Sequence, residues 1–329
     1  LLELDSPQAH GWIASRLSVD PATLHVESLG GGVSNHVLLV TAPGLRCVFK
    51  QSLERLRVEQ EWLCRRDRIF RESQIMRDLS GLLPRGSVPA ILLEDQENFL
   101  FAMEAAPGDA QPWKSPLLIG EVDTDHAARA GALLGTWIRE SARHPEWRSN
   151  YGDQTVFHEL RLDPYYRSTA ARHPDLAAHF ASLVEECGQR RVSLVHGDFS
   201  PKNLLVTGQS MMVIDWEVVH WGDPSFDAAF LTNHLLLKAF HRPQNRHDYA
   251  AAASAFWQAL LQTIGPEYSW LQPAAMRHLG CLLLARVDGK SPAEYLANES
   301  VKNRVRSAAA QLILTPPASA ADAFERVFS

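Results

Sequence analysis

The sequence predicts an α+β protein in two unequal lobes, a small β-rich one over residues 1–104 and a large, mainly helical one over residues 105–329. Three observations carry this. At roughly 100 to 200 residues per domain, a chain of 329 residues argues for two domains or two lobes. Short apolar runs set apart by glycine, proline and polar turns fill the first third, which is strand patterning. After the connector Ala106-Pro107-Gly108-Asp109 the apolar residues recur mostly at helical spacing.

In chain order, residues 24–29 read as a strand, followed by a glycine cluster at Gly30, Gly31 and Gly32. A second strand over 36–41 turns at Pro43 and Gly44 into a third over 46–50. Between residues 54 and 79 the period lengthens to that of a helix, and Pro84, Gly86 and Pro89 close the stretch before two further strands at 90–93 and 99–103. The small lobe is thus a five-stranded sheet with a helix. In the large lobe the spacing predicts helices over 124–143 and near 174–187, 246–263 and 273–286. One β-prone stretch interrupts them: the runs 193–195, 204–207 and 211–214 predict a little sheet embedded among helices.

Composition narrows the function classes. With 46% hydrophobic and 21% charged residues the chain is ordinary globular protein, not a disordered or fibrous one. The net charge of −6 is shared evenly on either side of a cut after Glu104, so neither lobe offers the basic face that nucleic acid or a membrane surface requires. Cys47, Cys64, Cys187 and Cys281 are scattered singly, fitting neither a disulfide framework nor a thiolate metal site. Residues 1–10 carry acids and no basic stretch leading into an apolar core, and no run approaches the 18 or so apolar residues of a membrane span. A soluble cytoplasmic protein is expected, with no nucleic-acid or membrane partner.

The sharpest chemical signal lies in the β-prone stretch: His196-Gly197-Asp198-Phe199-Ser200-Pro201-Lys202-Asn203, and Asp215-Trp216-Glu217 beyond it. Four specified residues at fixed spacing match by accident on the order of 10⁻³ times per chain of this length. The pattern sets a carboxylate and a carboxamide on one loop and a second carboxylate at the end of a nearby strand. Such acceptor oxygens suit a hard divalent cation and a substrate hydroxyl.

This pattern resembles the catalytic loop and metal-binding aspartate of the protein-kinase-like fold, in the version found in aminoglycoside phosphotransferases, choline kinases and methylthioribose kinases. The resemblance implies a bilobal kinase-like phosphotransferase that moves the γ-phosphate of ATP to a hydroxyl of a small molecule, with Asp198 as catalytic base and Mg²⁺ held by Asn203 and Asp215. Gly197 stands where a protein kinase has arginine, and Trp216-Glu217 where it has Phe-Gly. No Ala-Pro-Glu closes a peptide-docking segment, so the departures point to small-molecule acceptors such as a sugar, an amino alcohol or an aminoglycoside-like compound. Lys202 either reaches the transferring phosphate or is a solvated loop lysine. Asp227 matches the acid that braces the catalytic loop in the family.

Gly30, Gly31, Gly32, Ser34 and Asn35 occupy the position of the glycine-rich loop that covers ATP phosphates, although glycines also make plain hairpins. On the strand ending at Lys50, alternation points this lysine into the lobe beside Val48, where a buried ammonium needs an acid. Ile69, Glu72, Met76 and Leu79 share a helical face, which makes Glu72 that acid and Glu59 the runner-up. The resemblance assigns Lys50 to the α- and β-phosphates, Glu72 to holding it, and backbone groups of Glu104 and Ala106 to the adenine edge. The stretch 54–67 with Trp62 is closer to methylthioribose kinases than to aminoglycoside enzymes, and the large lobe lacks the acidity that a polycationic aminoglycoside favours. Two rival readings remain at this point, a nucleotide-binding scaffold without turnover and a metallohydrolase built on His196, Asp198, Asp215 and His220. Gly289-Lys290-Ser291 lacks the upstream glycine of a phosphate loop and reads as a turn between helices.

Overall fold

A hairpin closed by Pro43 and Gly44 lies within the first of two units, Leu1–Asp109 and Ala110–Ser329, into which the computed structural model divides. Residues 2–30, 35–55, 65–208 and 210–328 are described. The first unit carries β1 (His25–Ser28), β2 (Asn35–Ala42), β3 (Leu45–Ser52), β4 (Ile91–Asp95) and β5 (Leu100–Glu104) in one antiparallel sheet of order β1-β2-β3-β5-β4. β3 is central and buried on both faces beyond Arg46. Strand alternation sends Cys47, Phe49 and Gln51 to one face and Val48 and Lys50 to the other.

The first face is covered by α1 (Ala9–Leu17), whose Ile13 and Ala14 pack with Leu38, Val40, Cys47 and Phe49. Gln51 fastens the segment before α1 to the sheet: its side chain accepts the Leu4 N–H at 2.8 Å and donates to the Leu2 and Asn98 carbonyls at 2.7 and 2.8 Å. The sequence reading assigns no element before residue 24. α1 has no side-chain cap at its start, and a helix this short is marginal until a sheet offers its apolar side a surface. The helix α2 (Arg68–Ser80) begins later than the expected 54, because Arg66 and Asp67 form a turn. The part of the expectation at 56–64, with Glu59, Trp62 and Cys64, lies outside the described residues.

The second unit contains α3 (Lys114–Ile119), α4 (Thr124–Ala142), α5 (Trp147–Tyr151), α6 (Thr155–Phe157), a π-helical stretch over His158–Arg167, α7 (Ser168–Arg172), α8 (Ala177–Gln189), α9 (Ser225–His241), α10 (Arg246–Ile264), α11 (Leu271–Asp288), α12 (Glu299–Leu314) and α13 (Ala320–Phe328). α9 is buried almost from end to end and is flanked by α10 and α11. α4 approaches α10 so closely that a Cβ on Gly131 would stand 2.2 Å from the Phe256 carbonyl oxygen. No helix among the described residues is long and apolar enough to cross a membrane.

The embedded sheet proves to be two. β7 (Ser193–Val195) pairs antiparallel with β10 (His220–Gly222), while β6 (Gln111–Pro112), β8 (Leu204–Thr207) and β9 (Ser210–Val213) form the other in the order β6-β8-β9. The loop 196–203 runs from β7 to β8, and the loop 214–219 runs from β9 to β10. Both loops therefore bridge the same two sheets, which sets them side by side.

A buried imidazole makes this unit sensitive to acid. His278 on α11 is 1% exposed and its Nδ1 lies 2.6 Å from the Tyr166 hydroxyl. Burial, followed by the Arg190 charge, pushes it down to about 3 from the usual 6.5. The unfolded chain binds a proton near pH 6.5 that the native state refuses, so the contribution of this histidine to stability is lost as pH falls below that value. We expect the stability advantage of wild type over His278→Gln to shrink by about 1.4 kcal/mol per pH unit between pH 6 and 4. Urea unfolding at several pH values measures it, and parallel pH profiles would refute the assignment.

Candidate active site

In the first unit Lys50 and Glu72 meet as the alternation and the helical stripe require. Lys50 Nζ lies 2.7 Å from Glu72 Oε1, and the two residues are 4% and 1% exposed. Ile69, Met76 and Leu79 are buried on the same face of α2. Asn35 is buried at the start of β2, opposite Ser52, and Gly30 follows β1 on the surface. Gly31, Gly32 and Ser34 lie outside the described residues. At the end of β5 the Glu104 N–H donates to the Ala90 carbonyl at 2.8 Å, and the Ala106 carbonyl accepts from the Arg46 guanidinium.

In the second unit the loop after β7 is fixed by α9. Asp227, fully buried in the first turn of that helix, accepts the N–H groups of His196 and Gly197 at 2.6 and 2.9 Å. Burial pushes the Asp227 carboxyl up to about 7, while the two N–H donors pull it back. Asp227→Asn keeps one acceptor oxygen and turns an NH₂ toward the other N–H. We expect a loss of about 1–3 kcal/mol in urea unfolding, and unchanged stability would refute the bracing role.

His196 is a bridge within the protein. Its Nε2 donates to the Ile214 carbonyl at 3.1 Å and its Nδ1 accepts the Asp198 N–H at 3.1 Å, which together define one neutral tautomer. Burial pushes it down to about 4, and Trp137, Phe199 and Trp216 pack around it. With both ring nitrogens committed to backbone groups, His196 is not a metal ligand. His220 stacks on Phe157 at 4.1 Å with Nδ1 on the Val218 carbonyl at 3.0 Å. The metallohydrolase reading loses the His196 imidazole.

Gly197 explains why no arginine stands before Asp198. It adopts φ +78°, and a Cβ there would lie 2.7 Å from Val218 Cγ1. The cation is supplied from elsewhere, by Arg161 of the π-helical stretch. Its Nε donates to the Gly197 carbonyl at 2.6 Å, its Nη1 to the Leu160 carbonyl at 2.7 Å, and its Nη2 lies 2.8 Å from Asp198 Oδ2. Lys202 Nζ lies 2.9 Å from the same Oδ2. Burial raises the carboxyl of Asp198, but Arg161 and then Lys202 outweigh it and hold the group below its usual value. Asp198 is therefore an anion with one oxygen gripped by two cations.

Asn203 and Asp215 complete the cluster. Asn203 Nδ2 donates to the Asp198 carbonyl at 3.0 Å, which assigns the amide orientation and leaves Oδ1 as its acceptor atom. The Asn203 carbonyl takes the Ile214 N–H at 3.0 Å and so ties the two loops together. Asp215 has φ +67°, a left-handed conformation that aspartate tolerates better than most residues and that recurs at functional sites. Burial disfavours the Arg161 charge, yet Asp198, Tyr165, Glu217 and Asp215 raise its affinity for the proton, and Asp215 acts on Lys202 as well. Asp198 and Asp215 thus act on both cations, and Glu217 on Arg161.

A model of the phosphotransferase enzyme family matches residues 25–274. The chain belongs to this family. Methylthioribose kinase 1 of Oryza sativa subsp. japonica is 26% identical over 287 residues, covering 78% of this chain and 66% of the relative. The methylthioribose kinase of Escherichia coli O45:K1 (strain S88 / ExPEC) is also 26% identical, over 73% of this chain and 66% of the relative. The chain therefore spans slightly less than two thirds of the length of these relatives. Among solved structures, the amicoumacin kinase hAmiN in complex with AMP-PNP, Ca²⁺ and Ami superposes with a TM-score of 0.58 at 15% identity, over 93% of this chain and 94% of that one. The gentamicin-APH(2")-IIa complex gives 0.51 at 14% identity, over 100% and 99%. Likenesses at such identities establish the fold, which is protein-kinase-like.

Proposed function

We propose that this chain is an ATP-dependent phosphotransferase that moves the γ-phosphate of ATP to a hydroxyl of a small molecule. The observation that supports it most is Asp198, a buried carboxylate kept ionised by Arg161 and Lys202 on a loop braced by Asp227. Because both cations hold Oδ2, Oδ1 is the oxygen that orients the acceptor hydroxyl and takes its proton as the hydroxyl attacks the γ-phosphorus. Lys202, shared between Asp198 and Asp215, offsets negative charge at the same place.

Asn203 Oδ1 and the Asp215 carboxylate are the ligands assigned to Mg²⁺. The donor set fits a hard cation, since it offers oxygens only and the Asn203 amide nitrogen is already engaged. When bound, Mg²⁺ supplies charge neutralisation on the phosphates. For the first unit we assign nucleotide binding: Lys50, oriented by Glu72, to the α- and β-phosphates; Gly30, Gly31, Gly32, Ser34 and Asn35 to the phosphate-covering turn; Glu104 and Ala106 to the adenine edge. The lobe boundary, placed after Glu104, belongs to this reading. A cytoplasmic location, where ATP is available, goes with it.

The relatives named for methylthioribose and the neighbours named for amicoumacin and gentamicin support a small hydroxyl-bearing acceptor, as opposed to a protein. A coupled ADP-release assay across sugars, sugar acids, amino alcohols and aminoglycosides tests the reading. Acceptor-dependent ADP release that requires a divalent cation is expected; ATP binding with no release for any acceptor would instead favour a scaffold without turnover.

A further inference from the structure

A second group of charged side chains in the Ala110–Ser329 unit takes no part in the chemistry above. Lys238, on the central helix α9, is 0% exposed, yet the contact its ammonium makes is a long one, 3.4 Å to the His234 carbonyl of its own helix. It also lies 5.4 Å from the centre of the Tyr295 ring. Arg286, near the end of α11, is 9% exposed. Its Nη1 donates to the Tyr165 hydroxyl at 3.1 Å, to Ser291 Oγ at 2.9 Å and to the Ser291 carbonyl, while its Nε is buried without an acceptor among the described residues. The Tyr295 hydroxyl is also buried without a partner among the described residues. The acid that acts on this group, Glu294, is paired with Lys114. Among the described residues two buried cations are thus left without a counter-ion of their own, an arrangement that folded proteins avoid unless something else supplies the negative charge or the group gives up its proton.

We propose that Lys238, Arg286 and Tyr295 form a binding subsite for an oxyanion group, a carboxylate or a phosphate, carried by the acceptor molecule. An ammonium, a guanidinium N–H and a phenol hydroxyl are the donors that such a group accepts from. Calling the bound molecule the acceptor rests on the phosphotransferase reading; the subsite itself does not. The group adjoins the catalytic loop within the same unit. The Lys114 N–H donates to the Pro201 carbonyl at 2.9 Å, and Tyr165, which holds Arg286, also acts on the Arg161 that grips Asp198. The field at this place is cationic: burial first, then Lys238, Arg286, Lys202 and Lys114, keep His234 far below its usual value. Burial, Lys114 and Arg286 push Lys238 down to about 7, so a bound anion would restore its full charge. The same field repels amino sugars and quaternary amines, which sets this chain apart from a binder of cationic acceptors.

Isothermal titration calorimetry with four six-carbon probes tests the subsite: D-gluconate, D-glucose 6-phosphate, D-glucose and D-glucosamine. At least one of the two anions is expected to bind ten-fold or more tightly than glucose and glucosamine, and which one does so tells a carboxylate site from a phosphate site. Lys238→Met, which removes a buried charge without removing bulk, is expected to erase that preference, and Arg286→Lys, which keeps the charge but lacks Nε, to reduce it. Equal or tighter binding of glucosamine, no binding of either anion, or an unchanged preference in Lys238→Met overturns the proposal. ADP release followed in the same mixtures separates the two readings. Anion preference without turnover of these four probes keeps the subsite and leaves the phosphotransferase to the wider acceptor panel, whereas turnover of glucose or glucosamine with no anion preference sinks the subsite and keeps the phosphotransferase.

Discussion

Replacing Asp198 by Ala is expected to lower kcat/KM for acceptor-dependent ADP release by about 10²–10⁴-fold, the range seen when a positioned general base is removed. The carboxylate is held below its ordinary value by Arg161 and Lys202, so it is ionised across the neutral range and its loss is not masked by partial protonation. Asp198→Asn separates chemistry from architecture. The amide keeps the shape of the side chain but cannot take a proton, so kcat falls while the KM for ATP stays close to wild type. Asp215→Ala is expected to raise the concentration of Mg²⁺ needed for half-maximal activity as well as to lower turnover, because Asn203 would be left as the sole assigned ligand. Turnover that survives Asp215→Ala with unchanged Mg²⁺ dependence would remove the metal assignment and leave the base assignment standing.

The grouping of the loop residues was legible because they are close in sequence. His196, Asp198 and Asn203 fall within eight positions, and Asp215 follows after one short hairpin. What holds those residues was not legible. Arg161 comes from a π-helical stretch with no motif of its own, and its link to Asp198 exists only in space. The one available hint was physical: a carboxylate buried in the helical unit needs a cation, and Gly197 cannot be one. The splitting of the embedded sheet was equally hidden, since β7 finds its partner in β10, whose His220-Trp221-Gly222 carries no β-branched run and ends on glycine. In the first unit the period-two pattern fixed the face of Lys50, whereas α1 escaped notice because its helicity depends on the sheet beneath it.

Lys50 and Glu72 allow the structural and the functional meaning of a buried pair to be told apart. Removing one partner from a fully desolvated ion pair leaves an uncompensated charge, so Lys50→Met is expected to cost about 3–5 kcal/mol in urea unfolding. The double variant Lys50→Met/Glu72→Leu removes both charges and replaces them with apolar bulk between the sheet and α2, and should recover most of that loss. Turnover should not recover with it. If the ammonium serves the phosphates of ATP, the double variant folds well and still fails to use ATP, with the KM for ATP raised or kcat lost. A double variant that regained activity along with stability would make the pair a purely architectural one. A Lys50→Met protein as stable as wild type would show that the pair contributes little to the fold, and any loss of ATP use would then belong to function alone.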